Sequence, residues 1–516
     1  MEMSDSGEDS NLNSGEDSRF RMWELFRVDI SKRVPVESLL AAYSNPEQGE
    51  AQGIAELLGF GNSMTLRDMQ HIYRDSPLEQ RATEAFLIIK LSLALMSYGQ
   101  TTVDAKLTIL KICEKLGVGA EFHFSTSTME AAIGGHSHVL SVNPDIVADK
   151  LMDVTALCRL LATTEVKIHA AVLVLDGIIN RPLPYSTLTS ILNLQCLFTW
   201  AAICAFFGDF QDLAACALIA PFSIAVMLVC KRFSLANIEL CLVSLVIGIV
   251  TPPVWKFLVK VPVCHIPRWW ASALLLWLPG TELINGAYEI KYGKLISGAS
   301  QLMSALIRCA FMGVGLTIGW QFFGRDAAIV AVGGKSGVKA SLVPSEVCPE
   351  MATPWYMIFL VYNFPMLFHC FVSLNMRLRD MPHAFLVVYP SLIAFIAISK
   401  FAQFPSFVAD AVGLFIATNL ASLVEYLTGT PVNLSLVPMI IILAPGAPAV
   451  SSVLQSMQVD AHVASVSVTG FWTNLALQGA SYAFGLCLAL EIWRPILHRN
   501  DQVKAQQVAS IYGWIV

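Results

Sequence analysis

From Thr187 onward the chain is a succession of apolar runs, each close to the ~20 residues that carry a helix across a bilayer core. About ten can be counted, at 187–207, 212–230, 237–255, 268–288, 296–321, 354–375, 383–400, 406–427, 434–456 and 464–492. Lipid offers backbone groups no water, so runs of this length must satisfy their own hydrogen bonds as helices. Composition agrees: 55% of the 516 residues are hydrophobic and 14% charged, against about 25% charged in soluble domains. The expected class is a polytopic α-helical membrane protein, with the lipid bilayer as its first partner.

Charge is unevenly placed. Residues 1–20 carry Glu2, Asp5, Glu8, Asp9, Glu16 and Asp17 against the single base Arg19, while the whole chain has a formal charge of −6. The body is therefore near neutral, with no basic face for nucleic acid. The acidic 1–20 stretch, in which SGEDS occurs twice, is expected to be a disordered tail and lacks the features of a secretory or transit signal. Residues 21–77 mix aromatic and charged residues with turn formers and read as a loosely structured arm.

Residues 78–183 read as a small cytosolic α/β domain. An apolar helix over 85–99 is interrupted by Lys90 and is too short to cross a membrane. A second helix follows, with Val103, Leu107, Leu110 and Cys113 at helical spacing and Thr101 or Thr102 as its cap. Residues 121–128 alternate as a strand does, a Gly-Gly turn and a second strand occupy 131–142, and helical periods return over 145–163 and 166–179. The remainder divides into a first five-helix half (187–323), a non-cytosolic loop (324–352), a second five-helix half (353–495) and a cytosolic C-terminal tail (496–516). Lysine and arginine in short loops favour both termini in the cytosol. The twelve cysteines show no CxxC or zinc spacing and read mostly as buried thiols; Cys264 and Cys348 fall in loops on one side, where a bond between them is allowed.

Two runs contain a helix breaker where an apolar residue is the safest choice. Pro279-Gly280 is followed by Thr281, Glu282 and Asn285, and Pro445-Gly446 by Ala447. Each pair lies in the fourth span of its half. Because five is odd, the halves insert in opposite directions, as inverted repeats do. Proline removes a backbone donor and glycine lets the chain turn. Freed backbone groups survive at membrane depth only against protein or a water-filled cavity. The amide-rich start of the second helical piece favours an anion, and the carbonyl end of the first favours a cation. A Pro-Gly pair can equally be a plain kink. The candidate substrate site is Pro279, Gly280, Thr281, Glu282, Asn285, Asn363, Pro445, Gly446 and Ala447, with Glu282 and Asp410 as coupling carboxylates for a proton or sodium ion. Other costly intramembrane polar residues are Asn193, Glu239, Gln301, Arg308, His369, Asn419, Glu425, Asn474 and Gln478. Arg308 lies deep and calls for a carboxylate partner.

AFLIIKLSLALMSYGQTTVDAKLTILKICEKLGVGAEFHFSTSTMEAAIGG resembles the start of the N-terminal domain of the threonine/serine exporter family. LLWLPGTELINGAYEIKYGKLISGASQL resembles that family's Pro-Gly break, Asn-Gly and later glycines, here Pro279, Gly280, Asn285, Gly286, Gly293 and Gly298. ILAPGAP resembles the second family domain, and the acidic leader suggests a eukaryotic relative. The resemblance implies ten spans, a hydrolase-like cytosolic N-terminal domain, and ion-driven export of small hydroxy amino acids. No GxxxxGK[ST] loop points to ATP, and no metal or cofactor motif is present. The expected function is secondary transport by alternating access; a homo-oligomer is compatible with it. Two alternatives remain: a membrane-anchored hydrolase built on Ser125, Thr126, Ser127 or Thr128 with His123, His136 or His138, and a regulatory scaffold recruiting partners through its acidic tail. No GxSxG or HExxH pattern supports the hydrolase.

Overall fold

The computed structural model describes residues 82–323, 361–443 and 477–496, interrupted at 126–127, 134, 143–144, 165, 207, 234, 236–237, 260–264, 402–405, 429, 478 and 494. The tail 1–20, the arm 21–77, the loop 324–352, the 497–516 end, the Cys264–Cys348 pairing and the second break at Pro445, Gly446 and Ala447 lie outside the described residues.

Residues 82–180 pack around a core of their own. Helices α1 (Ala82–Ser97) and α2 (Thr102–Leu116) precede strands β1 (Ala120–Phe124), β2 (Thr128–Ile133) and β3 (His136–Ser141). Helices α3 (Ala148–Thr163) and α4 (Ile168–Asn180) follow. Thr101 caps α2 by accepting the Asp104 N–H, and Gly117 ends it in the left-handed conformation at φ 66°, which costs glycine little. Helix α1 stays short because it is a core helix, buried along almost its whole length. The Lys90 that interrupts its apolar run forms a buried ion pair with Asp176 of α4.

The sheet is antiparallel in the order β1-β2-β3. Three strands stand where the alternation suggested two over 121–128 and 131–142. The buried positions are Phe122 and Phe124, then Met129, Ala131 and Ile133. That change of phase from even to odd marks a reversal, closed by the Ser125 N–H on the Thr128 carbonyl at 2.8 Å.

The rest is helical. It comprises α5 (Thr187–Cys204), α6 (Phe210–Arg232), α7 (Glu239–Pro253, continued by a π turn Val254–Val259), α8 (Ile266–Ala273), α9 (Gly280–Lys291) and α10 (Leu295–Phe323). Then come α11 (Asn363–Ser373), α12 (Met381–Phe401), α13 (Ser406–Thr428), α14 (Val432–Leu443) and α15 (Gly479–Trp493). Six helices among the described residues are long and apolar enough to cross a membrane: α5, α6, α7, α10, α12 and α13. Of the other four expected spans, the fourth is divided into α8 and α9, and the sixth, ninth and tenth are described only in part.

Small residues let these helices touch. A Cβ on Gly315 would lie 2.7 Å from the Ser244 side chain, and one on Gly248 would lie 2.5 Å from the Leu316 carbonyl. Helices α7 and α10 thus meet backbone to backbone, the close approach by which membrane helices associate without a hydrophobic drive.

The 82–180 region binds one end of this bundle at three places. The Lys294 ammonium donates to Thr102 Oγ1 at 2.9 Å, and that hydroxyl donates to the buried Glu289 carboxylate. Arg377 Nε meets Asp149 at 2.5 Å, and Arg181 bridges Asp149 at 2.7 Å and Asp153 at 2.8 Å. Burial raises the Asp149 carboxyl above the usual carboxylate range against the pull of Arg181 and Arg377. Nearby, the Ala148 N–H donates to the Leu374 carbonyl at 3.0 Å and the Tyr185 hydroxyl to the Met376 carbonyl at 2.6 Å. Arg159 reaches Glu425, near the end of α13, at 3.2 Å.

Candidate functional site at the interrupted helix

Helix α8 is short, with only eight residues, and is held from several sides. The Trp269 indole donates to Asp212 at 2.6 Å, the Trp270 indole to Thr251 at 2.9 Å, and the Ser272 hydroxyl to the Phe198 carbonyl. Asp212, fully buried at the start of α6, also meets His265 Nδ1 at 2.8 Å, the Asp209 N–H at 2.9 Å and Arg268 at 3.5 Å. Asp209, Asp212 and His265 lie close enough to share a metal ion. Both Asp212 oxygens already face N–H groups, however, so the cluster serves as a knot tying α8 to α6.

After Ala273 the helix stops. Leu275–Trp277 form a 3-10 turn, and Leu278 is extended (φ −63°, ψ 128°), as a residue before proline prefers. The Trp277 indole donates to Glu239 at 2.9 Å, fixing the turn to the start of α7. The first internal bond of α9 runs from the Leu283 N–H to the Pro279 carbonyl at 3.1 Å. The N–H groups of Gly280, Thr281 and Glu282 therefore stand outside the helical ladder, as at any helix start. Pro279 and Gly280 are buried; Thr281, Glu282 and Asn285 are half-buried. The twelve residues of α9 rise about 18 Å, so the interruption lies well inside the apolar run that begins at residue 268 rather than at its end.

Helices α9 and α10 form a tight hairpin. A Cβ on Gly286 would lie 2.9 Å from the Gly298 carbonyl, and one on Gly298 would lie 2.5 Å from the Gly286 carbonyl. This contact explains why glycines recur on both sides of the turn at Gly293. It also brings the carboxylate and the arginine together: Arg308 Nη1 meets Glu282 Oε1 at 2.9 Å, with Ser304 beside the same carboxylate. Asn285 lies three residues beyond Glu282, on the same face of α9.

The other candidates are placed separately. Asn363, 2% exposed, opens α11, and its Oδ1 is buried with no hydrogen-bond partner among the described residues. Asp410, 4% exposed in α13, is hydrogen-bonded to Tyr482 of α15. No hydrogen bond or ion pair joins Asp410 to Glu282 among the described residues. Helix α14, which runs toward Pro445, packs against α9. His369 Nδ1 meets Asn193 Oδ1 at 2.9 Å, while the Asn193 amide donates to the His369 carbonyl and the Ser373 hydroxyl, clasping α5 to α11. On the sheet, His123 is exposed opposite Glu130, and the Ser125 backbone closes the β1–β2 reversal.

Sequence reasoning left two features out of the site. Arg308 was expected to need a carboxylate, but only the α9–α10 hairpin identifies it as Glu282. The Asp212 knot was missed because, apart from Asp209 three residues earlier, its partners lie more than fifty positions away. Residues 87–323 match a family model described as "Putative threonine/serine exporter". No curated protein and no solved structure matches the chain. The match spans α1 through α10, including both pieces of the interrupted helix, and with the six apolar helices it points to an integral, multi-pass membrane transporter carrying a threonine/serine exporter domain.

Proposed function

We propose that the chain is a secondary active transporter that exports small amino acids such as threonine or serine by alternating access, driven by a proton or sodium gradient. The observation that carries this reading is the helix interruption within an apolar run, with the Glu282 carboxylate and the Arg308 guanidinium meeting beside three unladdered amides. A fixed-charge pair in the membrane interior is costly and marks a path for polar solutes. In this reading Pro445, Gly446 and Ala447 supply the matching break from a second half inserted the opposite way up. The packing of α14 against α9 supports that arrangement. Thr281, Asn285 and the unpartnered Asn363 carbonyl orient the substrate, and Glu282 and Asp410 carry the coupling ion. Residues 78–183 then cover the cytosolic end, and both termini are cytosolic.

The test is uptake of labelled serine and threonine into vesicles containing the purified full-length protein, with and without pH and sodium gradients. Gradient-dependent uptake that falls at least tenfold in Pro279→Ala and Glu282→Gln is expected. Uptake indifferent to both substitutions and to both gradients would sink the reading.

A further inference from the structure

Arg308 sits near the middle of the 29-residue α10, about 20 Å from its start. Its side chain is 49% exposed, yet Ile307 and Phe311 beside it are exposed apolar residues of the kind that face lipid. A guanidinium at this depth belongs toward water or a ligand, not hydrocarbon. Its planar fork carries five N–H donors, suited to gripping a carboxylate with two parallel bonds. The Glu282 contact is a single prong, through Nη1 and Oε1. The other oxygen, Glu282 Oε2, is buried with no hydrogen-bond partner among the described residues. Leaving a buried charged acceptor unsatisfied is expensive, so this pair is only half built.

We infer that the Glu282–Arg308 pair is a receptor for a zwitterion, which opens the pair and inserts between its members. The inference rests on the transport reading above and names the two side chains that recognise its substrate. The substrate carboxylate takes the open prongs of Arg308, and its ammonium donates to both oxygens of Glu282. The inserted molecule has no net charge, so the buried charge balance is unchanged. Every oxygen that lacked a donor gains one. An α-amino acid meets these demands. A simple amine satisfies Glu282 but leaves Arg308 empty, and a simple carboxylate does the reverse. Glu282 thus holds the arginine in place until substrate arrives, and Arg308 becomes the residue that sets specificity.

The test is binding to the full-length protein in nanodiscs by three probes that share a hydroxymethyl end: L-serine, ethanolamine and 3-hydroxypropionate. Wild type is expected to bind serine at least tenfold more tightly than either of the others. Arg308→Gln should lose serine at least tenfold and shift preference toward ethanolamine. Glu282→Gln should lose serine and shift preference toward 3-hydroxypropionate. Arg308→Lys, which keeps the charge and the pair but not the fork, guards against misfolding and should still weaken serine binding about tenfold. Folded variants that bind serine as wild type does would overturn the zwitterion receptor while leaving transport standing. Failure of wild type to bind or transport serine or threonine would remove the transport reading and this inference together.

Discussion

The two pieces of the interrupted helix are held in opposite ways. The hydrogen bonds of helix α8 run to Phe198, Asp212 and Thr251 on α5, α6 and α7, and its Trp270 ring packs edge-on against Trp320 of α10. Helix α9 reaches outward: to Arg308 on α10, to Thr102 in the 82–180 region, and through Lys291 and Tyr292 to Glu491 on α15. One piece belongs to a scaffold and the other joins three parts of the molecule. The turn at Leu274–Pro279 is the joint between them. In the proposed alternating-access cycle this turn is where one side would stay fixed while the other moves.

Substitutions on each side sharpen this contrast. The largest effect is expected from Gly298→Val, whose Cβ would lie 2.6 Å from Ile290 Cγ1 as well as against the Gly286 carbonyl. It should cost about 3 kcal/mol in denaturation of the detergent-solubilised protein. An unchanged midpoint would mean that α9 and α10 are less tightly joined than described. On the scaffold side, Trp269→Phe removes one donor from the buried Asp212 and should cost about 2 kcal/mol. The affinity for serine should stay as in wild type; a changed affinity would show that α8 is not merely scaffold.

Smaller effects test the outward contacts of α9. Thr102→Val removes the hydroxyl between Lys294 and Glu289 and should cost about 1 kcal/mol. Amide hydrogen exchange should rise in α2 and at the α9–α10 turn but not in α8. Equal protection everywhere would place the joint elsewhere. Glu491→Ala breaks a pair whose side chains are 42% and 50% exposed, so solvent screening limits the loss to about 0.5 kcal/mol. A larger loss would make α15 a principal support of α9.

The sequence showed where these features lie better than what they touch. The Pro279-Gly280 interruption was legible because proline and glycine act on their own backbone. The cap of α2 was narrowed to Thr101 or Thr102 for a similar reason, and the structure gives Thr101. The intramembrane polar residues stood out by cost, yet their partners are tertiary facts: Asn193 with His369, Glu239 with Trp277, Asn419 with Trp493. The third strand was missed because both phases of the alternation look alike until burial separates Phe124 from Met129. The contacts that seat the 82–180 region join residues 187 to 266 positions apart, and no local pattern marks Asp149 as the partner of Arg377.

That seating has a consequence for how the protein is made. Asp149 and Arg159 leave the ribosome long before Arg377 and Glu425 exist. Until then Asp149 can pair with Arg181 but not with Arg377, and the Arg159–Glu425 pair cannot form. Glu289 and Lys294, the partners of Thr102, come first in the chain, and those of Asp149 and Arg159 only later. The full set of seating contacts therefore requires the chain through Glu425.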